Sequence, residues 1–245
     1  MSSRKSIEIA ANKLRLYEFL KQKGFATPAF APVRRAEELE EACKKCGYPD
    51  NPVCVKAVDL SGSRGVRVIM PRVSRFDILF GEKPGSFVIA FEELLDILKE
   101  RPSMPEMLAM EYLPGMEGSV DLLAEDGRVL YAAYRESTVN LHSIPQEAVV
   151  KDNPAALETA KQVMGLLGFS GNADLDFKED AAGRPVLMEV NPRVAATMKI
   201  FKEAGLNLPY LRIKQLLGEE LPEIKVRTGV KMVRRYLETF DSPED

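Results

Sequence analysis

Apolar residues at helical spacing open the chain. Ile9, Leu14, Leu16, Phe19 and Leu20 predict one helix over residues 6–24, which Gly24 ends. A Pro-punctuated short strand, FATPAFAPV, follows, and RAEELEEACKKCG reads as a second helix with glutamates near its start. PVCVKAV is a short apolar run of strand type, separated by the loop DLSGSRG from a partner strand, VRVIM. FEELLDILKERP gives a further helix, closed by Pro102. Three strands come next, MLAMEYL, SVDLLAED and GRVLYAAYRES, the last two joined by a hairpin turn at Gly127. ETAKQVMGLLG is amphipathic and ends at Gly168, and NADLDFKE and PVLMEVN are strands around a turn at Gly183. FKEAGLNLPYLRIKQLLG is helical with a break where Pro209 can start a second helix. VKMVRRYLETF fits strand and helix equally. The predicted fold class is α+β with antiparallel hairpins.

Composition adds exclusions. The 245 residues, 45% hydrophobic and 29% charged, suffice for one large domain or two small ones on a shared core. A net charge of −3 gives no basic field for nucleic acid. No apolar run approaches the ~20 residues of a membrane span, and MSSRKSIEIAANK has no apolar signal-peptide core. With 3 Cys, a reduced, cytoplasmic setting is expected. Cys43 and Cys46 have CxxC spacing, but Cys54 and His142 stand at no zinc spacing from them, so both read as ordinary helical thiols.

Three groups of residues carry chemistry. Asp174 and Asp176 are two apart and share a strand face; the next strand carries Glu189 and Asn191, with Arg193 two further on. Paired as a hairpin, these strands bring carboxylates, an amide and a guanidinium to one cleft. Hard oxygen donors suit Mg²⁺, which keeps waters and phosphate oxygens as ligands, and arginine suits a phosphoryl group in transfer. A solvated charged hairpin explains scattered charges but leaves Glu189 unexplained inside the apolar run VLMEV. In the second group, Lys56 ends a strand before a loop with Ser61, Gly62, Ser63 and Gly65. Its backbone N–H groups and hydroxyls can turn toward a polyphosphate, although a plain hairpin turn with a surface lysine reads equally well. The third group spans Glu111, Tyr112, Leu113 and, past Pro114-Gly115, Glu117. Backbone groups there suit an adenine edge and Glu117 suits ribose hydroxyls; taken alone, the stretch reads as an interdomain hinge.

In this order the three groups resemble the ATP-grasp superfamily, and within it the branch of the carbamoyl phosphate synthase large subunit. MEVNPRVAAT resembles the metal-ligand strand of that family, with its Glu-x-Asn-Pro-Arg motif. KAVDLSGSRGV resembles the nucleotide-binding Lys and flexible Gly-rich loop, and MEYLPGMEGSVDLL the adenine hinge and ribose-binding Glu. GFATPAF resembles the Gly-x-x-x-Pro lead into the small subdomain, and AGLNLPYLRIKQLLGEELP the helix pair after the metal strand. The likeness runs from about residue 12 to residue 236.

The resemblance implies an ATP-grasp fold: an N-terminal helix over 1–25 on the core, a small subdomain over 26–106 with the Gly-rich loop, and a large one over 107–240 with the metal site. ATP would lie between the subdomains. It implies phosphate contacts for Lys13 and Lys56, adenine contacts for the backbone of Glu111 and Leu113, and ribose contacts for Glu117. Asp176, Glu189 and Asn191 become metal ligands. Asp176 stands 13 residues before Glu189, the spacing of the family, with Asp174 as the alternative. Arg193 faces phosphate, and Arg135 stands near phosphate or substrate. The implied cofactors are ATP and Mg²⁺, with Mn²⁺ as a substitute. The implied reaction joins a small carboxylic acid to an amine through an acyl phosphate.

Relatives carry an N-terminal α/β domain of roughly a hundred residues ahead of the segment matching residue 12; eleven residues precede it here. A partner subunit or a second copy of the chain is expected to supply that wall. The paired ATP-grasp units of carbamoyl phosphate synthases are missing, so that synthesis is not expected of this chain alone. A non-catalytic ATP-binding regulatory or interaction module is the competing reading.

Overall fold

Two sheets organise the chain in the computed structural model, which describes residues 2–60, 62–141 and 144–240. The five-stranded sheet takes β1 (Phe30–Val33), β2 (Val53–Ala57), β3 (Arg67–Ile69), β4 (Val88–Ile89) and β5 (Met107–Glu111) in the order β1-β5-β2-β3-β4. Only β3 and β4 run parallel among these pairings. On one face, α3 (Leu39–Lys45) and α5 (Phe91–Lys99) close a core with Val33, Val53, Val55 and Ala109. Cys43 and Cys46 lie inside that core, and burial pushes their thiols up to about 12 and about 11.

The six-stranded sheet is antiparallel throughout. It takes β6 (Glu117–Glu125), β7 (Arg128–Leu141), β8 (Ile144–Lys151), β9 (Gly171–Glu179), β10 (Pro185–Asn191) and β11 (Lys231–Val233) in the order β10-β9-β6-β7-β8-β11. Alternation along β6 and β9 gives this sheet two characters. Val120, Leu122, Leu175 and Phe177 join the main core with α1 (Arg4–Ala11), α2 (Lys13–Gln22) and α6 (Pro154–Leu167). Ser119, Asp121, Asp174 and Asp176 point to the other face. Farther along that face, Leu123, Ala133, Ala148 and Val150 pack under α7 (Lys199–Glu203) and α8 (Leu208–Leu216). Among the described residues, no helix is long and apolar enough to cross a membrane.

Several elements differ from the pattern. The single helix predicted over 6–24 is two, because Asn12 adopts an extended backbone (φ −114°, ψ 115°) and its side chain accepts the Arg15 N–H. Apolar spacing runs through the break because both helices face one core. A capped helix, α4 (Arg75–Gly81), precedes β4; it buries no residue, and its apolar stripe of Phe76, Leu79 and Phe80 stays exposed. The strand predicted to end at Ser137 continues to Leu141, and β8, carrying Pro145, pairs back along it. The ambiguous VKMVRRYLETF contributes β11, whose strand character comes from pairing with β8.

Gly118 shows how tightly the large sheet closes on its core. It lies in β6, and a Cβ there would meet the Tyr134 ring, 2.5 Å from its Cε2. Tyr134 is 3% exposed and cannot yield. Gly118→Ala is therefore expected to destabilise by about 1–3 kcal/mol, lowering Tm by about 2–4 °C per kcal/mol. Urea and thermal melts check this, and an unchanged midpoint would contradict the packing.

Candidate functional site

The hairpin of β9 and β10 is offset by one residue. Val186 pairs with Lys178 and Leu187 with Phe177, after which Glu189 pairs with Asp176 and Asn191 with Asp174. Met188 is the extra residue of a bulge. In a regular ladder Glu189 would oppose Leu175, on the apolar face with Phe177 and Leu187. The bulge turns it to the polar face beside Asp176, and this accounts for a glutamate inside an apolar run. The Met188 carbonyl accepts a hydrogen bond from the Tyr17 hydroxyl (3.1 Å).

Two rows of polar groups result. In the first, Asp176 accepts from the Ser119 hydroxyl (2.6 Å) on one oxygen and from the Asn191 amide (3.0 Å) on the other. Glu189 Oε1 lies 3.2 Å from Lys13 Nζ, which also donates to the Leu60 carbonyl (3.1 Å). Lys56, from the small sheet, donates to the Tyr17 hydroxyl (3.3 Å). Both lysines are 8% exposed, so cations from α2 and β2 meet the carboxylates of the large sheet where the two sheets adjoin. In the second row, Asp174 accepts from Arg193 (2.9 Å) and lies 3.6 Å from Arg135 NH2, whose Nε is 3.5 Å from Asp121.

Burial dominates the electrostatics. It raises the Asp121 carboxyl to about 6 against the pull of Arg135. Asp174 rises to about 6 through burial and then the Asp121 charge, and Asp176 to about 7 through burial and then Asp174. For Lys56, burial works downward, but Tyr17, Cys54 and Glu189 outweigh it and leave the ammonium above its usual value.

Of the residues singled out in the sequence, Lys13, Lys56, Asp174, Asp176, Glu189, Asn191 and Arg193 converge here, with Arg135 beneath them at 4% exposure. Arg193 lies past the end of β10, on a turn where its N–H donates to the Asn191 carbonyl. The Glu111 carboxylate accepts the Ala29 N–H (3.2 Å), which ties it to the start of β1. Leu113 is buried, and Lys178 stands over the Tyr112 ring (5.5 Å). Glu117 accepts from Lys178 (2.9 Å) and Asn140 (2.7 Å). Gly62, Ser63 and Gly65 all have left-handed φ (65°, 58° and 70°) and line a hollow of about 370 Å³ with Arg67 and Phe87. A Cβ at Gly65 would come within 2.9 Å of Ala57 Cβ, so this position requires glycine. Ser61 lies outside the described residues. A hollow of about 700 Å³ between β7 and residues 221–225 holds none of this charge.

Sequence reading passed over Ser119, Asp121 and Tyr17. Asp121 did carry a signal: it shares the parity of Glu117 on β6. Its register opposite Asp174 emerges only from the sheet. Tyr17 looks like any core aromatic on an amphipathic helix.

Asp176, Glu189 and Asn191 form an open set of hard oxygens. Among the described residues, no three His, Cys, Asp or Glu side chains gather to hold a metal. The two carboxylates and the amide offer hard oxygens of the kind Mg²⁺ takes beside water and phosphate oxygens. The half-buried, upward-shifted Asp176 is a carboxylate that a cation would hold ionised.

Known proteins agree with the fold. A carbamoyl phosphate synthase large chain of Gemmatimonas aurantiaca is 24% identical over 233 residues, covering 89% of this chain and 19% of that one. A D-alanine–D-alanine ligase of Gloeobacter violaceus is 25% identical over 87% of this chain and 70% of its own length. The chain thus spans about a fifth of the carbamoyl phosphate synthase large chains it matches. Among solved structures, the biotin carboxylase domain of Hydrogenobacter thermophilus 2-oxoglutarate carboxylase, in complex with Mg²⁺-ADP and bicarbonate, superposes with a TM-score of 0.70. It is 18% identical and covers 93% of this chain and 50% of that one. The L-amino acid ligase of Bacillus licheniformis gives 0.60 at 20% identity, over 86% and 48%. The α+β ATP-grasp fold implied by the motifs is thereby shown. The family described as "ATP-grasp in the biosynthetic pathway with Ter operon" matches residues 103–238, more than half of the sequence, and the chain belongs to that ATP-grasp family.

Proposed function

We propose that the chain binds Mg²⁺-ATP between its two sheets and uses it to activate a carboxylate as an acyl phosphate for attack by an amine. The observation that carries this is the cross-strand pair Asp176–Glu189, with Asn191 beside it, facing the buried lysines Lys13 and Lys56. Relatives named as ligases support the reaction class. Adenine is assigned to the backbone of 111–113 and ribose to Glu117. Lys13 and Lys56 hold the phosphates. Mg²⁺, when bound by Asp176, Glu189 and Asn191, supplies charge neutralisation at the β- and γ-phosphates, where phosphoryl transfer depends on positioning and electrostatics.

A carboxylate oxygen of the acid attacks the γ-phosphorus, and the bond to the β-phosphate oxygen breaks, releasing ADP. The amine nitrogen then attacks the acyl carbon, the carbon–oxygen bond to phosphate breaks, and the amine loses a proton. Arg193 stabilises the oxygens of the moving phosphoryl group. The 62–65 loop closes over the nucleotide and keeps water from the intermediate. A partner subunit or second copy completes the acceptor pocket, in keeping with the fraction of its relatives that the chain spans. Three free thiols go with a cytoplasmic setting.

Melting with nucleotide tests this reading. At a hundredfold excess over Kd, Mg²⁺-ATP is expected to stabilise by about 2.7 kcal/mol. ADP release by the chain alone should be weak and should rise with the partner, and Glu189→Gln should lower it roughly 10²-fold or more while the fold survives. No melting shift with millimolar Mg²⁺-ATP sinks the nucleotide assignment. Bound ATP with no turnover in the presence of the partner favours the regulatory module.

The raised carboxylates predict an unusual pH profile. Between about pH 4 and pH 7 the folded state holds protons at Asp121, Asp174 and Asp176 that the unfolded chain releases. Their contribution is full below the unfolded carboxylate range and is lost as pH rises through 6 to 7. Urea melts without nucleotide should show stability falling across this window, with a flatter profile in Asp176→Asn. Stability that rises there would contradict the buried charge arrangement.

A further inference from the structure

Arg193 is an exposed side chain with a buried anchor. More than half of its side chain faces water (56%), yet its NH1 donates to Asp174 Oδ2 at 2.9 Å, and Asp174 is 4% exposed. The other Asp174 oxygen faces Arg135 NH2 at 3.6 Å, and Arg135 Nε faces Asp121 Oδ2 at 3.5 Å. Arg135 NH1 donates to the Ser137 hydroxyl (3.3 Å). Asp121 is 2% exposed, the most deeply buried of the row. Among the described residues, Asp121 Oδ2, Arg135 Nε and Asp174 Oδ1 are buried atoms without a hydrogen-bond partner, held by charge at distances just beyond aligned bonds.

This arrangement is a poor choice for stability. Asp121 and Asp174 stand directly opposite each other on neighbouring strands, a repulsive pairing that Arg135, facing both, and Arg193, on Asp174, offset. Apolar residues commonly serve as well as a buried ion set or better, and this same face becomes apolar two residues on, at Leu123 and Ala133. The row also lies one step from the metal set. Asp176 is engaged with Ser119 and Asn191 and pairs with Glu189, whereas both oxygens of Asp174 face guanidinium groups.

We propose that Asp121, Arg135 and Asp174 form a positioning relay that fixes the Arg193 guanidinium at the reacting phosphoryl group, so that Asp174 is a positioning residue and not a metal ligand. This rests on the ligase reading above and assigns the buried Asp121 a part in it through Arg135. An arginine held at one atom keeps several rotatable bonds; anchoring its anchor through Arg135 and Asp121 is what preorganises it.

The experiment uses the full chain with three readouts: kcat and KM for ADP release, Mn²⁺ affinity in the presence of ADP by electron paramagnetic resonance, and rescue of Arg193→Ala by free guanidine. Asp121→Asn and Asp174→Asn are expected to lower kcat about 10–100-fold, the range for groups that orient a functional side chain. KM for ATP and Mn²⁺ affinity should stay within about twofold, while Asp176→Asn should weaken Mn²⁺ binding. Guanidine should restore activity to Arg193→Ala, whose buried anchor is intact, and should fail once Asp121→Asn is added. A loss of Mn²⁺ affinity in Asp174→Asn matching that of Asp176→Asn overturns the relay, as does equal rescue in the double variant. If the Asn variants do not fold, rescue of Arg193→Ala decides alone, and its absence counts against the proposal. Wild-type protein that binds no Mn²⁺-ADP overturns the ligase reading instead.

Discussion

Strand β10 has one residue more than its partner needs, and the extra residue, Met188, sets the direction of everything beyond it. Before the bulge, Leu187 packs with Phe177 in the main core; after it, Glu189 and Asn191 share the polar face with Asp176 and Asp174. The Met188 carbonyl, exposed by the irregularity, receives the Tyr17 hydroxyl, to which Lys56 donates in turn. A single backbone insertion thus aims the site's carboxylate and helps tie the small sheet to the large one. Bulges are found next to active sites for this reason: they re-aim a side chain without disturbing the strand on either side.

The polar face this creates is costly. Asp121 and Asp174 are buried and Asp176 is half-buried, and desolvation raises each of them. The cations are divided accordingly. Arg135 and Arg193 serve the row of Asp121 and Asp174, while Lys13 and Lys56 approach Glu189 from the other side of the cleft. Among the described residues, Asp176 has no ion pair of its own, only a hydroxyl and an amide, with Arg135 attracting it from farther off. Under-compensated carboxylates concentrate at functional sites, and the proposed metal would supply the missing charge at Asp176.

Much of this was legible in the sequence for identifiable reasons. Gly127, Gly168 and Gly183 mark turns or caps with positive φ, so the hairpins and the end of α6 followed from local rules. Asp174 and Asp176, and Glu189 and Asn191, showed their shared faces by spacing of two. What remained hidden depended on partners distant in sequence. Asp121 acquires its meaning from Asp174, fifty-odd residues on, and Arg135 from both. α4 carries Phe76, Leu79 and Phe80 at helical spacing but is a short helix that buries none of them. The break at Asn12 hid because helices on both sides of it feed one core. The bulge was visible only as an anomaly, a glutamate where alternation required an apolar residue.

Which oxygens take the metal decides the roles of the two aspartates. A crystal structure of the chain with Mg²⁺-ADP measures this directly. The ion is expected between the sheets, at about 2.0–2.1 Å from oxygens of Asp176, Glu189 or Asn191, with Asp174 still on Arg193. An ion ligated by Asp174, or a nucleotide bound away from Lys13 and Lys56, would contradict it.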